Sequence, residues 1–245
     1  MTVLEMQKGV QQKLNAMEIP IISEDVLWYL NRAQEQYIAD QYVFLRGKYT
    51  DNQDIQLYTN AQKAMENLRT IVTTDDIENP SDPASKQLIL ESNFYNNAKV
   101  VELGGLTKTF YYYVRSQSKD SATDGNGDLA PNLVNNRLVE QENIQKYIQT
   151  KYNSPIFRDN LVIIEGDTLV VFYDNQDDSE VTAISLTYIR EPKKLVRDIG
   201  DGNLETTRCE LPAHTHREIV NLATQLARQD RKDEISRTQR QNFEG

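Results

Sequence analysis

The sequence predicts an α+β protein: a helical bundle formed by the N-terminal helices and a C-terminal helix, with an inserted antiparallel β-rich domain. Three observations predict it. Apolar residues recur at spacings of three and four through the first 75 residues, and the same period returns at 219–227. Between them, from about 81 to 207, the pattern alternates with period two and gathers aromatic and β-branched residues. The expected division is 1–80 plus 208–230 for the helical bundle domain, 81–207 for the β-rich domain and 231–245 for a polar C-terminal tail.

In the first helix the stripe is Val3, Met6, Val10, Leu14 and Met17, closed by Pro20. Ser23 then offers a cap, with Glu24 and Asp25 placed against the positive end of the next helix dipole. That second helix carries Val26, Leu30, Ala33, Tyr37 and Phe44 and ends near Gly47. A third begins at about Gln53, with Leu57, Tyr58, Ala61, Met65, Leu68 and Ile71 on one face. The turn formers of 77–85 end this regime.

Strand signals follow. Leu88 and Leu90 share a face; Phe110, Tyr112 and Val114 oppose Tyr111, Tyr113 and Arg115. Gly104-Gly105 reads as a tight turn, and residues 118–136, dense in Ser, Asp, Asn and Gly, read as a loop. A helix is expected over Val139–Lys151, then strands at Leu161–Glu165, Thr168–Asp174 and Thr182–Glu191. Gly166-Asp167 links the first two as a compact hairpin, and 175–180 joins the second to the third. The last helix enters through Pro212 and a Thr215…Glu218 capping-box pattern. Its stripe is Ile219, Leu222, Ala223, Leu226 and Ala227, and beyond Asp230 the apolar signal vanishes.

Composition excludes several function classes. With 27 basic and 37 acidic residues the net charge is −10, which disfavours nucleic-acid binding, since that affinity comes from Lys and Arg neutralising phosphates. The single cysteine excludes an intramolecular disulfide and a multi-cysteine zinc cluster. No apolar run approaches the roughly 20 residues of a membrane span, and the N-terminus lacks the apolar core of a signal peptide. Thirteen Tyr against one Trp suits surfaces that are exposed alone and covered on assembly.

The residues that could carry chemistry have plainer readings. Cys209, His214, His216 and Glu218 are the nearest approach to a metal cluster or a Cys–His pair, but His-x-His at a helix start points its rings about 200° apart. Two polar residues decorating a helix N-terminus account for them. The stretch from Asp124 to Asp128 opens like a calcium loop, yet the sixth and twelfth positions are Leu129 and Asn135, where that loop needs Gly and Glu. Gly104-Gly105 and Gly200-Asp201-Gly202 lack phosphate-loop spacing, and Asp174, Asp177, Asp178 and Glu180 read as a solvated charge run. Tyr111 to Tyr113 have only Lys108 and Arg115 as nearby cations, so a strand facing a core and a contact explains them as well as base stacking does. No enzyme, cofactor or metal is expected.

Three stretches carry a resemblance. They are Lys151-Tyr152-Asn153-Ser154-Pro155 leading into IIEGDTLVVFYD, the strand SLTYIREPKKL at 185–195, and CELPAHTHREIVNLATQLARQD at 209–230. Together they resemble the head–tail connector ring proteins of crAss-like short-tailed bacteriophages, over roughly the C-terminal two-fifths of the chain; the N-terminal helices agree only in type. The resemblance implies a structural virion protein at the head–tail interface, assembled in the host cytoplasm. It implies a ring, typically a dodecamer, docked beneath the portal protein and against adjacent tail ring proteins, with genomic DNA only as passing cargo. Flexible terminal segments would grip the portal or a neighbouring ring, which here singles out Arg228, Arg231, Lys232, Ile235, Arg237, Arg240 and Phe243. Asp230, Asp233, Glu234 and Glu244 leave that segment near neutral, which favours a protein partner over DNA. Residues 229–245 are expected to become ordered only against that partner, and the acidic loops 118–136 and 175–180 to line the lumen. The competing class is another tail component, such as a fibre- or receptor-contacting binding module, or a host-directed regulator; three N-terminal helices argue against a fibre.

Overall fold

The first helix begins with a reciprocal cap: the Glu5 backbone N–H donates to Thr2 Oγ1 at 3.3 Å, and Thr2 N–H donates to Glu5 Oε2 at 2.8 Å. A computed structural model of the chain describes residues 1–17, 19, 23–47, 55–78, 89–91, 98–123, 129–149, 159–173, 180–196 and 208–243. Its helices and strands are, in order, α1 (Val3–Asn15), α2 (Ser23–Gly47), α3 (Ile55–Leu68), β1 (Val72–Glu78), β2 (Ile89–Glu91), β3 (Ala98–Glu102), β4 (Phe110–Thr123), β5 (Leu129–Leu138), α4 (Ile144–Gln149), β6 (Asp159–Glu165), β7 (Thr168–Phe172), β8 (Glu180–Arg190) and α5 (His216–Phe243). The protein is α+β. It divides into a discontinuous unit, Met1–Ile71 with Pro192–Gly245, and a continuous one, Val72–Glu191. Both boundaries therefore fall earlier in the chain than the expected 80 and 207, because β1 joins the sheet and residues 192–196 leave it.

In the helical unit, Val3, Met6, Val10 and Leu14 of α1 are buried, whereas Met17 lies past the helix end and is exposed. Val26, Leu30, Ala33 and Tyr37 of α2 are buried as the spacing predicts, but Phe44 is exposed and Ile38 and Leu45 take its place. The buried face rotates along this long helix because its neighbour changes. Asp230 of α5 lies beside Arg32, whereas further along Asn67 of α3 donates to Gln41 at 2.9 Å. The expected capping box on α5 does not form: the Thr215 hydroxyl donates back to the Pro212 carbonyl at 2.9 Å. Ile219, Val220, Ala223, Thr224 and Ala227 are the buried face of α5, leaving Leu222 and Leu226 half-buried.

The second unit is one eight-stranded sheet in the order β1-β8-β4-β5-β6-β7-β3-β2. It is mixed rather than antiparallel throughout. β5 and β6 run parallel, which requires a crossover, and α4 lies in it. That helix is shorter than expected because Val139 is held by its backbone N–H on the Val162 carbonyl at 2.8 Å, and a 3-10 turn, Gln141–Asn143, precedes Ile144. Ile77, Val181, Ile184, Leu186, Tyr188 and Tyr113 share one cluster with Val101, Val162, Leu169 and Val171. Strands from both ends of the order meet there, so the sheet curls onto itself. The opposite face buries Leu161, Ile163, Val170 and Phe172 with Ala98, Val139 and Ile144. This two-sided burial is why 161–172 reads as an almost continuous apolar run broken only at Glu165–Thr168. Gly166, at φ 56°, makes the turn there.

Strands replace two segments read otherwise from sequence. β1, VTTDDIE, pairs in register with β8, and Thr74 and Thr187 share a hydroxyl hydrogen bond of 3.0 Å. The expected loop 118–136 is largely β4 and β5, paired from Ser116↔Asn136 to Thr123↔Leu129. Its Ser and Asn residues satisfy one another across the ladder: Ser118 Oγ donates to Asn136 Oδ1 at 2.8 Å and Asn136 Nδ2 donates to Ser116 Oγ at 2.9 Å. Register shifts at Phe110/Tyr112 and Tyr113/Arg115 break the expected alternation, so Tyr113 alone of Tyr111, Tyr112 and Tyr113 is buried. Asp124 to Asp128, residues 175–179, Lys151 to Pro155 and Gly200 to Gly202 lie outside the described residues, as do the side chains of Leu57, Tyr58 and Leu90.

Phe172→Ala is expected to cost about 3–5 kcal/mol by leaving a cavity. Gly166→Ala is expected to cost about 1–2 kcal/mol, because a Cβ is strained at positive φ even with open space around it. Urea midpoints at unchanged denaturant slope check both.

Candidate functional site

Two backbone segments are pinned to α2 by its polar side chains. Leu195 N–H donates to Asn31 Oδ1 at 2.7 Å, and Asn31 Nδ2 donates back to the Leu195 carbonyl at 3.1 Å. One turn on, Gln34 Nε2 donates to the Lys193 carbonyl at 3.3 Å, and its Oε1 accepts from the Cys209 thiol at 3.7 Å. Lys193 N–H in turn donates to Glu210 Oε2 at 3.0 Å, with the Lys193 ammonium 3.7 Å from Glu210 Oε1. Residues 193–195 and 209–210 thus meet on one face of α2.

The expected metal or nucleophile candidates are dispersed. Burial pushes the Cys209 thiol up, away from the thiolate that a nucleophile requires. His214 Nε2 pairs with Asn67 Oδ1 at 2.8 Å. His216 Nδ1 lies 3.0 Å from the Met1 amine and its Nε2 lies 2.8 Å from the Leu211 carbonyl. An ammonium can only donate, so Nδ1 accepts and Nε2–H gives its proton to Leu211; the ring is held neutral in one tautomer. Glu218 is exposed and sits beside the buried phenol of Tyr37, which burial and that carboxylate push upward. Among the described residues no group of three or more His, Cys, Asp or Glu could hold a metal ion.

Of the predicted contact residues, Arg228, Arg231 and Lys232 are exposed on α5. Ile235, Arg237, Arg240 and Phe243 belong to the same helix by backbone, with side chains outside the described residues. Helical spacing puts Arg228, Arg231, Lys232 and Ile235 in one stripe and rotates Arg237 and Arg240 away from it. Segment 231–245 is therefore helical to Phe243 in the single chain, where a loose tail ordered only by a partner was expected.

At the root of that extension sits a cluster that the sequence does not single out. Trp28 is 54% exposed and meets Tyr29 edge-on, with ring centroids 4.9 Å apart. The Arg32 guanidinium lies 5.1 Å over the Trp28 ring and reaches Asp230 at 3.8 Å. Tyr29 also faces Asp230; burial first, then that carboxylate, raises its phenol pKa. The usable signal was the only tryptophan of the chain, on the polar phase of α2 four residues before an arginine.

No protein-family model matches the chain, and no curated protein sequence matches it. No described helix is long and apolar enough to cross a membrane.

Burial holds His216 below the ordinary histidine value of 6.5. The unfolded chain therefore takes up the proton first, so this contribution to stability is full above about pH 6.5 and declines as pH falls below it. His216→Gln is expected to lose less stability than the wild type between about pH 7.5 and about pH 5.5, read from paired urea titrations.

Proposed function

We propose that this chain is a non-enzymatic structural subunit of a phage virion, one copy of a head-to-tail connector ring beneath the portal and around the DNA exit channel. The observation that carries the reading is the extension of α5. The backbone stays helical through Phe243, although from Arg231 onward the sequence holds only Ile235 and Phe243 as large apolar residues. A polar helix shorter than about 12–15 residues is marginal alone in water. Here it grows from a turn tied to α2 through Asp230, so it projects from an anchored root and offers cations to a partner. The convergence of residues 193–195 and Cys209 on Asn31 and Gln34 supports the reading further, because it gives parts of two family-like stretches one structural task.

In this reading α1, α2, α3 and α5 form the bundle, with the sheet unit inserted between α3 and the return segment at 192–196. Residues Arg228, Arg231, Lys232, Ile235, Arg237, Arg240 and Phe243 form the contact with the portal or the adjacent ring. Copies of the chain close into a ring, with a dodecamer as the expected count. Genomic DNA passes without adsorbing, because a chain of net charge −10 presents it a repulsive wall. The acidic segments 118–136 and 175–180 supply that wall.

Removing 233–245 is expected to abolish attachment to the portal while leaving the thermal transition of the remaining chain in place. Co-sedimentation with portal and circular dichroism check the two halves. Attachment unchanged by the truncation defeats the contact assignment, and absence of the chain from purified particles defeats the connector reading itself.

A further inference from the structure

His216 opens α5 as a buried ring with both of its nitrogens engaged. Its Nε2–H donates to the Leu211 carbonyl at 2.8 Å, and its Nδ1 accepts from the Met1 nitrogen at 3.0 Å. The second bond spans 215 residues of sequence and fastens the start of α1 to the first turn of α5. Beside it, Thr2 pairs with Arg208 in an isolated antiparallel bridge. Further along, α1 meets α5 by other means. A Cβ on Gly9 would lie 3.4 Å from Val220, and the Lys13 ammonium donates to Asn221 Oδ1. The start of α1 is thus held in part by a bond that a proton can break, and the remainder of the helix is not.

Protonation removes this bond outright. The Met1 nitrogen can only donate, as an ammonium or as a peptide nitrogen, so it needs an acceptor. Imidazolium offers none, since both of its nitrogens carry hydrogen. The proton would also arrive at the first residue of a 28-residue helix, where the helix dipole disfavours a cation. The titratable groups of the surrounding elements do not compensate. On α1, Glu5 is taken by the cap with Thr2. In the segment before α5, Arg208 and His214 are basic, Cys209 is a buried thiol, and Glu210 holds Lys193. On α5 itself Arg217 is a further cation, and Glu218 faces the Tyr37 phenol of α2. Burial has the largest influence and lowers the ring from the ordinary value of 6.5; the Leu211 carbonyl opposes it, and the Met1 nitrogen and His214 add to it.

We propose that His216 is an acid-operated latch on the start of α1: when Nδ1 takes up a proton, Met1 is expelled and residues Met1–Met6 detach from the first turn of α5. The remainder of α1 stays docked at Val220 and Asn221, so the opening is local and the fold persists. Acid works in one direction. The open segment leaves a ring that binds its proton at the ordinary value, whereas the closed one binds it only at a lower value. The open population therefore rises as pH falls below about 6.5. The latch lies within the helical unit and stands whether or not the chain forms a ring.

Two measurements on the full chain test it, from about pH 7.5 to about pH 5.5 and so above the range in which ordinary carboxylates titrate. Nitrogen NMR reads the His216 ring. Hydrogen exchange, corrected for its intrinsic pH dependence, reads the amides of Glu5 and Met6, which close on Thr2. At about pH 7.5 the ring is expected as the Nε2–H tautomer, with a titration midpoint below 6.5. Protection of Glu5 and Met6 is expected to fall by up to about tenfold at a pH about one unit below the ordinary histidine value, with the amides beyond Gly9 unchanged. His216→Gln keeps a donor and an acceptor without a titrating ring, so it is expected to abolish the pH dependence; His214→Gln is expected to leave it in place. Wild-type protection that stays constant over the range, or that falls equally in His216→Gln, overturns the proposal. So does a His216 midpoint at or above 6.5, an opening that spreads along all of α1, or a pH dependence that disappears in His214→Gln. Should His216→Gln fail to fold, the wild type decides alone, because ring titration and loss of protection must then share one midpoint.

Discussion

The side-chain amide of Asn31 closes two hydrogen bonds on the backbone of Leu195, and the rest of the helical unit depends on that pair. An amide is the one side chain that offers a donor and an acceptor in the spacing of a peptide group, so it can replace a strand neighbour for a segment that has just left the sheet. Buried backbone polar groups must be satisfied, and residues 192–196 have no helix or ladder of their own to do it. Gln34 repeats the device on Lys193 and adds the Cys209 thiol. The discontinuity of the unit is thereby sealed at one place on α2, where the chain both returns from the sheet and prepares to start α5.

The sheet unit solves a different problem. Eight strands in an open order leave two edges, and an apolar face needs a cover. Curling supplies the cover: Ile77, Ile184 and Tyr188 from one end meet Val101, Leu169 and Val171 from the other. Tyr188 shows how such a cluster accommodates a polar tip. Its ring is fully buried, while its hydroxyl lies 3.1 Å from Asp75 Oδ2 and 3.1 Å from the Lys108 carbonyl and accepts from Lys108 N–H at 3.2 Å. Asp75 also takes the Thr107 N–H at 2.8 Å, so one carboxylate ties β1 to the turn before β4.

The helical unit places its exposed aromatic and cationic residues where α2 and α5 cross, and this links packing to the proposed assembly. Asp230 reaches Arg32 of α2 and Arg231 acts electrostatically on Tyr29 of α2, and from there the helix continues to Phe243. A contact built on such a root inherits its rigidity and loses less side-chain entropy on docking. The same Arg32 serves the salt bridge to Asp230 and the stack on Trp28, so the two contacts share one residue.

Helix period alone determined α1, α2, α3 and the first half of α5, and strand alternation with two-sided apolar runs determined β6, β7 and β8. In these elements burial, local period and capping agree, so a single sequence is enough. Tertiary structure decided the rest. β1 and the β4–β5 ladder are rich in Asp, Ser and Asn, residues that favour turns by default, and they become strands because partners such as Thr187 and Asn136 bond across the sheet. Phe44 matched the stripe of α2 and is nevertheless exposed, because which face of a long helix is covered depends on the neighbour at each turn. The predicted contact residues of α5 were legible as a cationic segment, whereas Trp28 and Arg32 were not, since their cluster exists only once Asp230, some 200 residues away in sequence, is folded beside them.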